Sequence, residues 1–439
     1  TVLSGGAGGG ALVKGFREVI GFAGLSHLGI CSSIAAACNG FRVAAFDENT
    51  DLVKNMIEGE PPIVEPDLEE CLLTGKSRMV FGDRPNILRD CEIVYISRDV
   101  PTLDNGQSNL QPIVELFETI LPHLREDAVL VILCQVPPGF SRSLQTKNRE
   151  LFYQVETLIF GQAMRRAQCP DRIIIGCRDS DCNLPQCYQQ FLNSFGCPLL
   201  QMKYESAELT KIAINCFLAG SVTMTNTLAE ICEHMGADWF DISPALHLDK
   251  RIGRHAYLSP GLGLSGGNIE RDLVTILGVS RELSVDASAI EACLTNSNVR
   301  KDWALDQLRE HLLKQKAAPV IAVWGLAYKE NTKSTKNAPS LRLLKALKGL
   351  RVKIYDPVVE IKMDDIGFER SDNMIDALQG ADALVVMTPW SEFATVNPEQ
   401  VTNAMVGRLI IDPHGIMDGK ALCKLGCNYA RLGSRSNEI

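Results

Sequence analysis

The amino-acid sequence predicts an α/β protein with two doubly wound parallel sheets joined by a helical middle. Three observations lead there. Two segments, one towards each end of the chain, run through a strand, a glycine turn, a helix, a second strand and a closing acid, which is the linear form of a βαβ unit. The remaining strand-like runs are short and apolar throughout, as strands covered by helices on both faces are. Between the two ends, residues 206–248 hold apolar positions at helical spacing, with no proline until Pro244.

The first segment opens on Glu18-Val-Ile-Gly-Phe-Ala, passes through Gly24-Leu-Ser-His-Leu-Gly29 into an alanine-rich helix over 30–39, and closes with Gly40, a strand over 41–46 and Asp47. Runs at 93–96, 129–133 and 173–175 supply more strands in this half, and runs at 383–387 and 409–411 do so in the other. The stretch 206–248 suits one extended helix or two packed ones, and serves as the connector. The second segment runs from Pro319-Val-Ile-Ala-Val-Trp through Gly325 to a helix over 339–347 and a strand over 351–355 ending at Asp356. Ahead of everything stands Thr1 to Gly10, rich in glycine and expected as a flexible leader.

The 439 residues correspond to about three compact units at ~150 residues each. With 46% hydrophobic and 22% charged residues there is apolar side chain for several cores, which excludes global disorder. A net charge of −9 without a basic run leaves nucleic acid no electrostatic footprint. No uninterrupted apolar run reaches the roughly 18 residues of a membrane span, and the N-terminus lacks the charged-then-apolar order of a secretory signal, so the chain is expected in the cytoplasm, with no membrane partner. The fifteen cysteines are odd in number and lie in apolar or helical contexts, which reads as reduced, mostly buried thiols. Neither Cys423 with Cys427 nor the group Cys177, Cys182 and Cys187 has a histidine pair to complete a zinc site, so no metal is expected.

Gly24-Leu25-Ser26-His27-Leu28-Gly29 sits where a dinucleotide fingerprint belongs, after a strand and at the start of a helix whose first amides can hold a pyrophosphate. Ser26 replaces the middle glycine, so it either loosens that grip or adds a hydroxyl hydrogen bond. Asp47 closes the second strand about 20 residues on, where a carboxylate takes the ribose hydroxyls and repels a 2′-phosphate, favouring NAD over NADP. The plain alternative is a βα turn with an acid at a strand end.

Beyond the turn, the chain carries Gly59-Glu-Pro-Pro-Ile-Val-Glu-Pro-Asp-Leu-Glu-Glu70, Val136-Pro-Pro-Gly139, Pro170-Asp-Arg-Ile-Ile-Ile-Gly176, Ala207-Glu-Leu-Thr-Lys-Ile-Ala-Ile-Asn-Cys-Phe-Leu-Ala219 and Arg251-Ile-Gly253. Gly325-Leu-Ala-Tyr-Lys329, Tyr355-Asp-Pro357 and Ala381-Asp-Ala-Leu-Val-Val-Met-Thr-Pro-Trp390 follow. In this order the motifs resemble the UDP-glucose/GDP-mannose dehydrogenase family over residues 18–433. The resemblance implies a Rossmann-like NAD domain over 15–200, a central helical region over 201–300 that forms a homodimer through a long helix, and a Rossmann-like nucleotide-sugar domain over 301–439, with the active site in the cleft between lobes. It implies that Lys211 and Asn215, which share a helix face at i, i+4, act on the reacting hydroxyl of the sugar, with Asp272 and Glu156 beside them. It places Cys134 near the nicotinamide. It assigns Gly263, Lys329 and Lys336 to the nucleotide sugar, and brings Arg251 across from the neighbouring subunit.

Several positions depart from the family pattern. Where Pro-Gly-x-Gly-x-Gly-Gly-x-Cys-Phe-Pro-Lys-Asp supplies a nucleophilic cysteine, this chain reads Pro260-Gly-Leu-Gly-Leu-Ser-Gly-Gly-Asn-Ile-Glu-Arg-Asp272, with Asn268 at the cysteine. A thiolate would trap the aldehyde left by the first hydride transfer and carry it to a second; an amide nitrogen is not a thiolate. Further departures are Cys134-Gln135 for Ser-Thr, Phe160 for a carboxylate, Lys336 for an arginine and His414 for another arginine. Cys134 is the one thiol that family geometry offers as a substitute, and a hydrated aldehyde would bypass sulfur altogether.

Three readings stay open at this level. The first is an NAD-dependent nucleotide-sugar dehydrogenase in which Lys211 and Asp272, with a water, take the hydroxyl proton. The second is an epimerase that retains its cofactor, and the third a nucleotide-sugar-binding protein without turnover.

Overall fold

The computed structural model describes residues 2–3, 19–103, 106–156, 158–360 and 368–435. The chain divides into two compact units, Thr1–Ile214 and Asn215–Ile439.

The first unit contains β1 (Val2–Leu3), β2 (Val19–Ala23), β3 (Arg42–Phe46), β4 (Met79–Gly82), β5 (Ile93–Ile96), β6 (Val129–Ile132), β7 (Leu151–Gln154), β8 (Ile173–Cys177) and β9 (Leu199–Lys203). They pair in the order β1-β9-β8-β7-β6-β5-β2-β3-β4. All neighbours from β4 to β7 are parallel, and with β2 as the first strand their order is the 3-2-1-4-5-6 of a Rossmann sheet. β8 then runs antiparallel to β7, and β9 parallel to β8. The leader is not wholly unpaired: Val2–Leu3 pairs antiparallel with Leu199 and Leu200, while its other residues lie outside the described set.

Burial explains the sequence pattern of the central strands. Ile93-Val-Tyr-Ile and Val129-Leu-Val-Ile are buried at every position, so no polar alternation survives. Phe22 on β2 stacks on Tyr95 of β5 with ring centroids 5.1 Å apart. Helix His27–Cys38 buries its alanine run, Ala35 to Ala37, almost without exposure. It starts at His27 rather than at residue 30, because Ser26 has extended backbone and serves as N-cap. His27, Leu28 and Gly29 therefore form the first helical turn.

In the second unit, β10 (Val320–Trp324), β11 (Arg351–Tyr355), β12 (Glu369–Arg370), β13 (Ala383–Val386), β14 (Leu409–Ile411) and β15 (Asn428–Ala430) form a wholly parallel sheet. Its order, β12-β11-β10-β13-β14-β15, repeats the Rossmann arrangement with β10 first. Trp324, Phe393, Val385 and Ile410 fill its core, with Trp324 and Phe393 rings 5.0 Å apart.

The connector is two helices, Tyr204–Met235 and Trp239–Leu248. Asp238 starts the second by accepting the Phe240 N–H at 2.8 Å, and Pro244 lies inside that helix rather than ending it. Helices Asn268–Glu282 and Ser288–Arg300 follow.

Candidate active site

The turn after β2 is built so that only glycine fits at two places. Gly24 has φ +94°, and a β-carbon there would lie 2.7 Å from Arg98 Cβ and 2.8 Å from Arg98 N. A β-carbon on Gly29 would lie 1.9 Å from the Gly24 carbonyl oxygen, so helix and turn touch backbone to backbone. Gly24 N–H donates to the Phe46 carbonyl at 2.9 Å. Asp47, 7% exposed, accepts the Leu25 N–H at 2.7 Å and the Asn49 N–H at 3.0 Å, tying the ends of β2 and β3.

Ser26, in the place of the missing glycine, makes its hydrogen bonds within the first unit. Its hydroxyl donates to the Ser97 carbonyl at 3.1 Å and accepts the Asp99 N–H at 2.8 Å, so it braces the loop after β5. It makes no side-chain cap bond, which leaves the first amides of helix His27–Cys38 for an anion. Leu28 is buried, so it can serve a ligand only through its backbone. Two positions that a β-carbon would fill, open helical amides and a strand-end acid fit a dinucleotide.

His27 faces the protein. Its Nε2 lies 2.8 Å from Glu65 Oε1, and its ring is tilted against Phe160 with centroids 4.3 Å apart. The Glu65 side chain is wholly buried and also accepts the Gly161 N–H at 2.7 Å and the Ala163 N–H at 3.1 Å. Burial pushes the Glu65 carboxyl up, but the bonds from His27, Gly161 and Ala163 outweigh it and hold the group below its ordinary value.

The second unit repeats the turn. Gly325, φ +89°, donates to the Tyr355 carbonyl at 2.8 Å, and a β-carbon on it would sit 2.5 Å from Thr388 Cβ. Asp356 is more heavily engaged than Asp47: it accepts the N–H groups of Leu326, Ala327, Val358 and Val359 and the Trp390 indole N–H, five donors at 2.6–3.2 Å.

Two loops of this unit are laced together around the start of helix Asn268–Glu282. Gly263, φ +75°, leaves no room for a β-carbon, which would meet the Ser297 carbonyl oxygen at 2.4 Å. Lys336 lies across Gly267, where a β-carbon would be 3.0 Å from its Nζ. Lys301, 4% exposed, donates to Glu270 Oε1 at 2.6 Å and Asn337 Oδ1 at 2.9 Å, while Ser297 donates to the same Glu270 oxygen at 3.1 Å. Lys329 sits over the Tyr328 ring, 5.9 Å from its centroid. Asn268 is the first residue of the helix and exposed; one turn on, buried Asp272 accepts a hydrogen bond from Asn215 Nδ2 at 2.5 Å.

Models of one family match in chain order: the UDP-glucose/GDP-mannose dehydrogenase family, by its NAD binding domain over residues 18–192, its central domain over 205–298 and its UDP binding domain over 322–419. The chain belongs to the UDP-glucose/GDP-mannose dehydrogenase family. Similar proteins include a UDP-glucose 6-dehydrogenase of Rickettsia conorii, 26% identical over 436 residues, 95% of this chain and 99% of that one. The UDP-glucose 6-dehydrogenase of Pseudomonas aeruginosa is 28% identical over 437 residues, covering 93% and 96%. Among solved structures, a UDP-glucose dehydrogenase from Pyrobaculum islandicum has the same fold, with a TM-score of 0.82 at 24% identity over 93% of this chain and 96% of that one.

As a member of the UDP-glucose/GDP-mannose dehydrogenase family, the protein is an NAD-dependent oxidoreductase acting on the CH–OH group of a nucleotide sugar. The remaining candidates of that family's site fall as follows. Lys211 is half-buried on helix Tyr204–Met235 and has no ion pair among the described residues. Half-buried Glu156 accepts the Leu158 N–H at the head of the loop that reaches Ala163. Cys134 is 1% exposed. Cys216 follows Asn215 and yet feels Asp272: burial, then the Asp272 charge, push its thiol up to about 11. Arg251 is exposed and held by Asp249 at 2.7 Å. Burial pushes the His414 imidazole below its ordinary value despite the charge of Asp412.

Three carboxylates escaped the sequence reading. Glu65 lies in a family motif without an assigned role, and Glu270 in a departing one. Glu208, fully buried on helix Tyr204–Met235, accepts the N–H groups of Gly139 at 2.6 Å and Ser141 at 2.8 Å, shaping the Val136-Pro-Pro-Gly139 loop. The available signal was an acid inside an apolar helical stretch, which needs partners once buried.

Proposed function

We propose that the protein oxidises the C6 hydroxyl of a UDP-sugar and stops after one hydride, at the carbonyl. The observation that supports this most is the buried Asn215–Asp272 pair with Asn268 one turn ahead of Asp272. Asn215 holds the Asp272 carboxylate in a fixed orientation. Asp272 and Lys211, with a water, take the hydroxyl proton as the carbon gives up its hydride. Bound NAD, cradled by Gly24, Ser26, Gly29 and Asp47 and by the backbone amides of His27 and Leu28, with Cys134 nearby, supplies the hydride acceptor.

Asn268, in the place of the family's cysteine, offers a neutral amide that forms no thiohemiacetal. Cys216 is held as a thiol by its raised pKa, and Cys134 is closed off by burial. Glu156 orients water near the carbonyl without a covalent intermediate. Gly263, Lys329 and Lys336 hold the nucleotide sugar: two ammonium groups and the start of helix Asn268–Glu282 suit its phosphates. UDP and C6 come from the names of the relatives and of the matched C-terminal domain.

The working form we propose is a cytoplasmic homodimer, with the domain limits 15–200, 201–300 and 301–439, and with Arg251 of each subunit serving the other's sugar site. Phe217, Met224, Ile231 and Met235 stand exposed on helix Tyr204–Met235 at spacings of 7, 7 and 4. Among the described residues this helix is also the one long and apolar enough to cross a membrane. Its polar commitments favour a protein partner: besides Asn215, its Glu233 accepts the Trp303 indole N–H at 2.9 Å and pairs with buried Arg300.

The test incubates the purified protein with NAD and UDP-, GDP- and TDP-sugars, counting NADH per sugar and weighing the product. One NADH and a loss of two hydrogens is the expected outcome. Two NADH with an acid product would refute the single-hydride step, and no NADH with any sugar would refute dehydrogenation.

A further inference from the structure

His27 stands in the cofactor turn, yet its side chain is committed to two loops of the first unit. Its Nε2 meets Glu65, and its ring lies on Phe160. Glu65 in turn holds the backbone of Gly161 and Ala163, while the Leu158 N–H is taken by Glu156. A continuous set of contacts thus runs from the first turn of helix His27–Cys38 to the segment Leu158–Ala163, and on to a candidate catalytic carboxylate.

We propose that His27 is a positioning residue through which an occupied cofactor turn orders the segment Leu158–Ala163, and with it Glu156. The proposal rests on the reading of this turn as the NAD site. Glu65 is a buried acid whose partners are all donors, so the imidazole must donate from Nε2, a charge-assisted hydrogen bond of fixed direction. A pyrophosphate seated on the first helical amides immobilises the backbone of His27 itself. Once that residue is fixed, its imidazole fixes the Glu65 carboxylate, and the carboxylate fixes the two amides that it accepts. The Phe160 ring packed on the imidazole closes the same link from the other side. Cofactor binding then spares the segment part of its ordering entropy before any sugar arrives.

Three variants of the full chain test this. His27→Phe keeps a ring against Phe160 and removes the donor, His27→Gln restores a donor, and Glu65→Gln alters the acceptor. The readouts are NAD affinity by calorimetry, amide hydrogen exchange at Gly161 and Ala163 with and without NAD, and kcat and KM with the sugar that the panel identifies. In the unaltered protein NAD should slow exchange of both amides by about tenfold or more. His27→Phe should bind NAD within about threefold of the parent, lose the slowing and lose about tenfold in kcat; His27→Gln should recover both. The double variant His27→Phe/Glu65→Gln should be no worse than the worse single one.

Undiminished protection in His27→Phe would overturn the proposal. So would loss of NAD affinity matching the loss of kcat, since His27 would then be a plain cofactor ligand. NAD-dependent protection that vanishes in His27→Phe, in a protein that oxidises no sugar, would sustain the proposal and defeat the dehydrogenase reading. Failure of NAD to bind the unaltered protein would defeat both.

Discussion

Asn268 is the first residue of a 15-residue helix, and a side chain there feels the partial positive charge of the helix N-terminus. A thiol placed at that position would ionise more readily than elsewhere on the surface. We therefore expect Asn268→Cys to raise the yield from one NADH per sugar to two and to convert the carbonyl product into an acid, read by absorbance and mass. Asp272→Asn keeps the shape and removes the base; kcat should fall by about 10²-fold or more. Glu65 makes a pH prediction. Because its folded pKa lies below the ordinary 4.5, its contribution to stability is complete above that value and fades as pH falls through the folded pKa. Urea midpoints measured down the acid limb should fall less steeply for Glu65→Gln than for the parent. Asp47 was legible in the sequence because its partner turn lies one βαβ unit away, a fixed interval. Glu65, Glu208 and Glu270 were not, because their partners lie 38–98, 67–69 and 27–67 positions away and no periodicity links them.

The two strand–turn–helix segments were legible because each combines a local period with a glycine that nothing else replaces. Gly29→Ala should show this: with a β-carbon 1.9 Å from the Gly24 oxygen, helix and turn must separate, at a cost of about 1–3 kcal/mol, and NAD binding should be lost. Denaturant titration and calorimetry measure the two effects separately. Helix starts were harder to read, since Ser26 gave a cap signal that the alanine run overshadowed. The strands β4, β7, β9, β12 and β15 went unread for a different reason. β12 is Glu-Arg with both residues exposed, and β4 exposes Val80, so neither carries the uniform apolar signature of β5 and β6. The strand character of β4 and β12 comes from pairing at a sheet edge, through hydrogen bonds that the local sequence does not encode.

For the molecule as a whole, the decisive quantity is the apolar surface left on helix Tyr204–Met235. Phe217 is 81% exposed and Met224 61%, more than an isolated subunit gains by showing to water. Sedimentation should find a dimer, and Phe217→Glu with Met224→Glu should give a monomer that still binds NAD but has lost most of its sugar turnover if Arg251 acts across the interface. An unchanged dimer would move the interface elsewhere.

The duplicated turn makes the molecule asymmetric in a way that its topology conceals. A carboxylate offers about four acceptor sites. Asp356 faces five donors of its own protein, whereas Asp47 faces two. Only the turn of the first unit keeps capacity for a ribose diol, so two matching folds yield a single dinucleotide position, and saturation should be reached at one NAD for each polypeptide.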